Sequence, residues 1–428
     1  MLAKSLAPWL LQRGIHYGWL MVALTFLATV CTSAATTLPG VLLLPMMAEF
    51  GWVRADISGA MGLMLVTFAL SAPFAGALIL RYGLTRVVFV AALMTTAALL
   101  GTTHAGSPWH LLVTFGVLLG TAAGMIALSL SATVANRWFV ERRGLVMGIL
   151  TAGFAAGQLT FVPAAAWLAT HYGWRMAVFP AIVGAGVCAV LYLLLARDWP
   201  AEIGLAPYGA REIQPPAQGS AQNAVGLSLT VLREAAAQRV FWVLAGTFFI
   251  CGLSTSGVIS QHFIPFCADN GVTTVVAASF LAMMGVFNFA GTICSGWLSD
   301  RFDNRVLLAW YYGLRGLSLM ALPFSNFDVV SLSLFAMFFG LDFVATVPPT
   351  VKLTAQHFGP VKAPIVFGWA FAAHQLGGAV SAFASGVSRD AWASYLPAYL
   401  AIGLICLLAS MAVFAVRDIR LAGLRPAE

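Results

Sequence analysis

The stretch Phe338-Phe339-Gly340-Leu341-Asp342-Phe343-Val344-Ala345-Thr346-Val347-Pro348-Pro349 places one carboxylate in the middle of an apolar segment. Of the 15 acidic residues only Asp342 lies so deep in an apolar segment, and of the 22 Lys and Arg residues only Arg315 does. An ionisable group in hydrocarbon is costly and normally faces a partner or a water-filled cavity. The two residues therefore predict either an internal ion pair or a functional site.

The composition predicts an all-α membrane protein. The chain has 428 residues, of which 61% are hydrophobic and 9% charged, and its mean hydropathy is +0.90. A soluble domain carries about 25% charged residues, so this chain cannot cover a soluble surface. The apolar runs are continuous over about 20 residues, which matches a bilayer core and excludes the alternating pattern of a membrane β-barrel.

We predict twelve transmembrane helices, called spans 1 to 12, and we expect the first to be retained rather than cleaved as a signal peptide. The hydrophilic, proline-rich segment 197–239 is predicted to be a cytoplasmic linker between a bundle at 1–196 and a bundle at 240–428. A short helix on the inner membrane face is expected near its end, from Leu227 to Arg239. The spans are predicted at 17–38, 57–80, 86–105, 109–133, 144–168, 174–196, 240–263, 274–298, 305–324, 328–350, 364–386 and 394–416.

The basic residues predict the orientation. The outer loops would hold only Arg54, Arg175 and Arg389, and Arg315 lies within a span. The other eighteen of the 22 Lys and Arg residues then fall in inner segments. Basic residues collect on the cytoplasmic side, so both termini are predicted to be cytoplasmic, in the inner (plasma) membrane of the cell.

The two halves carry similar segments. Gly76–Tyr82 precedes Gly296–Phe302 by 220 residues, and both follow an even-numbered span into a short inner loop. Ala155–Leu159 in span 5 likewise corresponds to Ala372–Leu376 in span 11. Together they predict a duplicated architecture of two pseudo-symmetric six-helix bundles.

The loop Gly296-Trp297-Leu298-Ser299-Asp300-Arg301-Phe302-Asp303-Asn304-Arg305 resembles the G-x-L-x-D-R-x-G-R motif of the major facilitator superfamily, with Asp303 in place of the later glycine. The resemblance implies that Asp300, Arg301 and Arg305 form a loop latch. The first-half copy has Leu80 where the motif has aspartate, which puts a matching charged latch there in question. With its twelve spans and long middle loop, the whole chain resembles this superfamily.

Further segments resemble bacterial relatives of the monocarboxylate and oxalate/formate carriers. In those carriers, basic residues in spans 8 and 11 hold the substrate carboxylate. Here these spans offer Asn288 and His374 instead. The segments that carry the resemblance are Tyr17–Trp19, Glu49–Trp52, Arg137–Phe139, Arg142–Gly144 and Tyr311–Gly316.

Several classes of chemistry lack their motifs. None of the three lysines follows a glycine, so no phosphate-binding loop of an ATP-driven pump is present, and no histidine precedes a glutamate as in H-E-x-x-H metalloproteases. The six cysteines form no C-x-x-C pair, so neither a disulfide framework nor a zinc site is expected. We expect no enzyme, no catalytic residue, no metal and no cofactor.

Three candidate site residues lie at similar depth. Arg315, Asp342 and His374 are each about 12–15 Å from the inner end of their spans, at 1.5 Å per residue. Arg315 with Asp342 is either a structural ion pair or a coupling site, and His374 is either inert or a proton-accepting ligand. Gln158 and Asn288 are either interhelical hydrogen-bond partners or substrate contacts. His262, near the outer end of span 7, is either interfacial or part of an outer gate.

These observations predict a secondary transporter of small organic anions, by proton symport or exchange, with alternating access. The anion class rests on the family resemblance. The expected partners are a small-molecule substrate, protons and the bilayer, with no nucleic acid, and we expect a monomer. The alternative is a proton-coupled exporter of drugs, although span 5 has Gln158 where drug exporters carry Gly-Pro. A membrane sensor would need a signalling domain, and the chain ends shortly after span 12.

Overall fold

The computed structural model describes residues 2–126, 128–213 and 221–416, which form helices and short connections without a β-strand. Eleven described helices are long and apolar enough to cross a membrane. The remaining predicted span, Asn304–Ala321, has 18 residues and is less apolar because it contains Arg305 and Arg315. The spans are Tyr17–Phe50, Arg54–Tyr82, Leu84–Thr103, Pro108–Trp138, Arg143–Tyr172, Trp174–Leu195, Arg239–Asp269, Thr274–Arg301, Asn304–Ala321, Val329–Gly359, Lys362–Trp392 and Leu396–Ala412.

The predicted all-α fold with twelve membrane helices is confirmed, but some predicted ends are wrong. Span 1 continues through Pro39 and Pro45 and ends only at Gly51, whose φ of 69° is the left-handed conformation that terminates helices. Arg54 is therefore the first residue of span 2 rather than part of an open loop. Span 7 likewise continues to Asp269.

The helix pairings are the same in both halves. Spans 1 and 5, 2 and 4, and 3 and 6 pack together in the first half, and spans 7 and 11, 8 and 10, and 9 and 12 do so in the second. Glycines allow the close approach: a Cβ on Gly157 would lie 2.6 Å from the Val30 oxygen, and one on Gly377 would lie 2.0 Å from the Phe249 oxygen. The halves meet mainly through spans 2 and 11 and spans 5 and 8. The two-bundle, pseudo-symmetric prediction is thus confirmed.

We call the end of the bundle that carries the loops after odd-numbered spans the outer face, following the predicted orientation. On the inner face the linker contains the helix Ala221–Ala236, which begins earlier than predicted and packs against spans 2 and 11. The Trp369 indole donates to the Ser228 oxygen at 3.2 Å, and Lys362 pairs with Glu234. Residues 214–220 of the linker lie outside the described residues, and the domain boundaries remain a prediction.

The orientation can be tested by cysteine labelling in intact cells. Cysteines at Gly219 and Ala427, which lie outside the described residues, should react with a membrane-impermeant maleimide only after the cells are opened. A cysteine at Gly106, which is exposed in the outer loop after span 3, should react without opening. Labelling of Gly219→Cys or Ala427→Cys in intact cells, with Gly106→Cys unreactive, would reverse the orientation.

Candidate functional site

Span 10 is interrupted in the middle of the membrane segment. The α-helix Val329–Asp342 stops, and a second begins at Val347 after four residues in turns. Pro348 and Pro349 have no N–H, so the carbonyls four residues before them lose their helical donors. The Val344 oxygen accepts instead from the Val347 N–H at 2.9 Å, and the Ala345 oxygen accepts from the Ser295 hydroxyl at 2.5 Å. The two prolines thus interrupt span 10 and leave the Val344 and Ala345 oxygens free to accept from other donors.

The guanidinium of Arg315 fills the break. Its Nη2 donates to the Asp342 backbone oxygen at 2.5 Å and to that of Phe343 at 3.4 Å, while Nε donates to Asp342 Oδ2 at 2.6 Å. Its Nη1 donates to Cys251 Sγ at 2.9 Å and to Ser254 Oγ at 3.3 Å. All three nitrogens are thus bonded to the chain, and the side chain has no exposed surface. This arrangement fixes Asp342 and leaves Arg315 no free donor for direct substrate contact.

Asp342 has one carboxylate oxygen without a partner. Oδ2 accepts from Arg315, but Oδ1 is buried and has no hydrogen-bond partner among the described residues. A buried polar atom without a partner is costly, and such atoms occur where a proton, water or ligand binds. The ion pair predicted from the sequence as one alternative is present in the structure, and Oδ1 of its carboxylate is left without a partner among the described residues.

Span 8 holds this carboxylate in place. A Cβ on Gly291 would lie 1.9 Å from the Leu341 oxygen, and a Cβ on Gly340 would lie 2.7 Å from the Met284 oxygen. These distances leave no room for a side chain at either glycine. Spans 8 and 10 are therefore in backbone contact directly beside Asp342, which restricts movement of its Cα.

His374 packs against two aromatic rings. Its ring centroid is 5.1 Å from that of Phe248 and 5.6 Å from that of Phe371, to which it is parallel within 6°. Its Nδ1 is 2.9 Å from Gln375 Oε1, and its Nε2 is 3.4 Å from Thr255 Oγ1. The Thr255 hydroxyl hydrogen is donated to the Cys251 oxygen at 2.7 Å, so Thr255 can only accept from the imidazole. The hydrogen of the contact with Thr255 therefore lies on Nε2 of the imidazole.

Span 7 connects the two candidate groups. Its residues Leu253–Ile259 form a π-helix, a wide turn that often occurs at functional sites. The adjacent residues Ser254 and Thr255 contact Arg315 and His374, respectively. The structure therefore brings Asp342, Arg315 and His374 around one segment of span 7, although they come from spans 10, 9 and 11.

Gln158 and Asn288 lie where spans 5 and 8 meet across the two halves. The contact is marked by Gly285, whose added Cβ would lie 3.6 Å from the Ala155 oxygen. The Gln158 side chain is buried and makes no hydrogen bond with the described residues, whereas Asn288 Oδ1 accepts from Thr292 at 3.2 Å. Both amides thus keep unused hydrogen-bonding groups at the interface between the halves.

His262 lies apart from these residues, at the outer face. It is fully buried, with Nε2 2.7 Å from the Ala382 oxygen and Nδ1 3.1 Å from the Tyr395 hydroxyl. No part of the His262 surface is exposed, so all of its contacts are within the protein, and its role at an interface or at an outer gate stays a prediction.

The three predicted latch residues each have a partner at the inner face, and their role as a latch stays a prediction. Asp300 pairs with Lys352 at the end of span 10, and Arg301 lies 3.8 Å above the Trp297 ring. Arg305 pairs with Asp303 at 2.6 Å. Asp303 also accepts from the Arg305 backbone N–H at 2.9 Å, so the residue that departs from the family motif caps span 9.

The first-half loop achieves the same capping with a remote carboxylate. Gly83 has a φ of 88° and no side chain, and Asp198 accepts from the Thr85 N–H at 2.8 Å. A Cβ on Gly83 would lie 2.0 Å from Asp198 Oδ2. The glycine in this loop therefore makes room for the capping carboxylate, which arrives from the start of the linker.

Sequence reasoning missed Cys251, Ser254, Ser295 and Gly291, which support Asp342 and Arg315. It also missed the contacts of Arg54 at the outer face. The Pro348-Pro349 pair was a signal for the break in span 10, because two adjacent residues without N–H groups free two carbonyls. The other residues are small and apolar or weakly polar, and nothing in the local pattern separates them from ordinary membrane residues.

Known proteins share both the sequence pattern and the fold. The family model described as Major Facilitator Superfamily matches residues 25–382. The uncharacterized MFS-type transporter YcxA of Bacillus subtilis is 25% identical over 88% of this chain and 90% of its own. Monocarboxylate transporter 13 of Bos taurus is also 25% identical, over 92% of this chain and 88% of its own.

Solved structures agree on the fold. The D-xylose-proton symporter has a TM-score of 0.69 at 14% identity and covers 94% of this chain and 98% of its own. The xylose transporter XylE from E. coli has a TM-score of 0.70 at 13% identity. The family match, the twelve helices and the paired bundles lead to one conclusion: this chain belongs to the major facilitator superfamily and is a multi-pass membrane transporter rather than an enzyme.

Proposed function

We propose that this transporter moves small organic anions, most simply monocarboxylates, across the cell's inner membrane together with protons. The observation that carries the proposal is the buried, unpaired Oδ1 of Asp342 beside a guanidinium that is fixed by backbone carbonyls. A proton on this oxygen would neutralise the carboxylate, and a neutral carboxyl group costs less to bury than an ionised one. No large movement of Arg315 is needed, because its other acceptors remain.

Protonation of Asp342 would change the charge of the site. With both groups ionised, the Arg315–Asp342 pair is neutral; with Asp342 protonated, it carries one net positive charge. In a medium of low dielectric constant this charge attracts an anion over several ångströms. Proton binding thus favours binding of a carboxylate, which is the coupling that symport requires.

His374 is the proposed contact for the substrate carboxylate. Its Nε2–H points to Thr255 Oγ1 over a long 3.4 Å, and a carboxylate oxygen would be a stronger acceptor at that position. Phe371, which stacks on the imidazole, and Phe248, whose ring packs against it at a tilt, would restrict the carboxylate to an approach at the ring edge. Gln158 and Asn288 are proposed to contact the other end of the substrate across the interface between the halves.

The names of several relatives support the anion class. Monocarboxylate transporters 11, 12 and 13 from vertebrates align with this chain at 23–27% identity. A direct test is uptake of radiolabelled lactate, pyruvate, formate and oxalate by proteoliposomes under an inward proton gradient. A panel of amphipathic cations serves as the control for the drug-exporter alternative. Accumulation of the cations and none of the carboxylates would reject the proposal.

The substitution His374→Ala should raise the KM for the carboxylate by about tenfold to a hundredfold, because a hydrogen bond to a charged group contributes about 1.5–3 kcal/mol. His374→Gln should bind more tightly than His374→Ala, since its amide can still donate. His104→Ala, in an exposed outer loop, is the matched control and should leave the KM unchanged. An unchanged KM in His374→Ala would remove this residue from the site.

A further inference from the structure

Arg54, the first residue of span 2, is inserted into the second half of the protein at the outer face. Its side chain is only 8% exposed. Nη2 donates to Asp269 Oδ1 at 2.6 Å, and Nη1 donates to the Tyr395 hydroxyl at 3.1 Å. Asp269 ends span 7 and Tyr395 precedes span 12, so both bonds cross from one half to the other.

The pocket around Arg54 is built within the second half. Asp269 Oδ2 accepts from Arg389 Nε at 2.6 Å, which orients the carboxylate toward Arg54. The neighbouring Asp390 accepts from the Ala55 N–H at 2.7 Å and so holds the start of span 2 by a third cross-half bond. A carboxylate at a helix N-terminus also interacts favourably with the helix dipole.

His262 and Tyr395 give the pocket a fixed hydrogen-bond direction. The Ala382 oxygen can only accept, so His262 Nε2 carries a hydrogen and donates to it. The other ring nitrogen of a neutral His262 accepts from the Tyr395 hydroxyl. The Tyr395 oxygen then accepts from Arg54 Nη1. In the series from Arg54 through Tyr395 and His262 to the Ala382 oxygen, each donor is matched to one acceptor.

We infer that Arg54 and its pocket of Asp269, Tyr395 and Asp390 form an outer latch, which must open before substrate exchanges with the outer side. A rocking movement that separates spans 2 and 11 at the outer face removes Arg54 from the pocket and breaks all three cross-half bonds. Bonds that exist in only one conformation bias the equilibrium toward it. The inference rests on the transporter family and does not depend on the anionic substrate.

The test measures how often the outer face opens. Ser58 is fully buried one turn after Arg54, close enough to span 11 that a Cβ on Gly386 would lie 2.6 Å from Ser58 Cβ. In the Cys294→Ser background, which removes the exposed native cysteine, a Ser58→Cys thiol should react with a membrane-impermeant maleimide only when the latch is open. The labelling rate then reports the open population without any substrate.

We expect Asp269→Asn to raise this labelling rate about tenfold, as a loss of about 1.4 kcal/mol from the closed state would. Glu49→Gln is the matched control, since it breaks the outer-face pair Arg175–Glu49, which lies within the first half at 2.7 Å, and it should leave the rate unchanged. Tyr395→Phe, which keeps the ring and removes one cross-half bond together with the bond to His262, should give a smaller increase. It also provides the test if Asp269→Asn does not fold.

The inference is overturned if Asp269→Asn and Tyr395→Phe label at the parent rate, or if Glu49→Gln accelerates labelling equally. Failure of carboxylate uptake in proteoliposomes would reject the proposed substrate and leave this result unaffected. The two proposals are therefore tested separately.

Discussion

Replacement of Asp342 by Asn is expected to give a folded protein that exchanges substrate but no longer accumulates it on a proton gradient. The amide has the size of the carboxylate, and its oxygen can still accept from Arg315 Nε. Arg315 also keeps its bonds to the Asp342 and Phe343 carbonyl oxygens. Asn cannot bind or release the coupling proton, so accumulation should fall to the level of passive equilibration.

Proteoliposomes separate the two activities. Accumulation is measured with an acidic exterior, and exchange is measured with labelled substrate outside, unlabelled substrate inside and equal pH. Asp300→Asn, which alters an exposed inner-loop carboxylate, is the control and should retain accumulation. An Asp342→Asn protein that folds and still accumulates substrate would show that Asp342 is not the proton carrier.

The largest loss of stability is expected for Arg315→Gln. Removal of one partner from a buried ion pair costs about 3–5 kcal/mol, because the remaining charge is left unpaired. Here the substitution also removes donors from two backbone oxygens, those of Asp342 and Phe343, in the break of span 10. Arg315→Gln should therefore lower the Tm and the yield of detergent-solubilised protein much more than Asp342→Asn.

The double variant tests whether Arg315 only neutralises Asp342 or also stabilises the backbone of span 10. If Arg315 only neutralises Asp342, then Arg315→Gln with Asp342→Asn should regain the full stability of the parent. Because the guanidinium also satisfies backbone carbonyls, we expect the double variant to recover only part of the loss. Arg305→Gln, which removes a partly exposed pair at the start of the same helix, is the control and should lower the Tm only slightly. Full recovery of the parent's Tm would show that the bonds of Arg315 to the backbone oxygens of span 10 do not contribute to stability.

If Asp342 has a purely structural role, the variants are expected to behave differently. In that case Asp342→Asn would itself reduce the yield, and the double variant would restore folding and transport together. The yield and the transport activity are therefore compared for the parent, each single variant and the double variant. The comparison decides whether Asp342 has a structural role or carries the coupling proton. Thermal unfolding gives the coupling energy of the pair, since residues in direct contact show non-additive effects.

The sequence by itself determined the number of spans, because the length of an apolar run is a local property that the bilayer thickness selects. It also predicted that Asp342 and Arg315 lie at similar depth in the membrane. Depth follows from counting 1.5 Å per residue along each helix, and an isolated charge at that depth is too costly. The similar segments of the two halves added the expectation of two related bundles, which the common helix pairings bear out.

Only the tertiary structure decided which helix faces meet. Spans that are apolar all round carry no stripe to reveal their rotation, so the contacts of Arg315 with Cys251 and Ser254 could not be predicted. The same is true of Arg54 and Tyr395, which are 341 residues apart. Arg54 near a predicted span end had the pattern of an ordinary loop base, and its burial depends on Asp269 and Tyr395 arriving from two other helices. Such partners are fixed by the packing of whole bundles rather than by neighbouring residues in the chain.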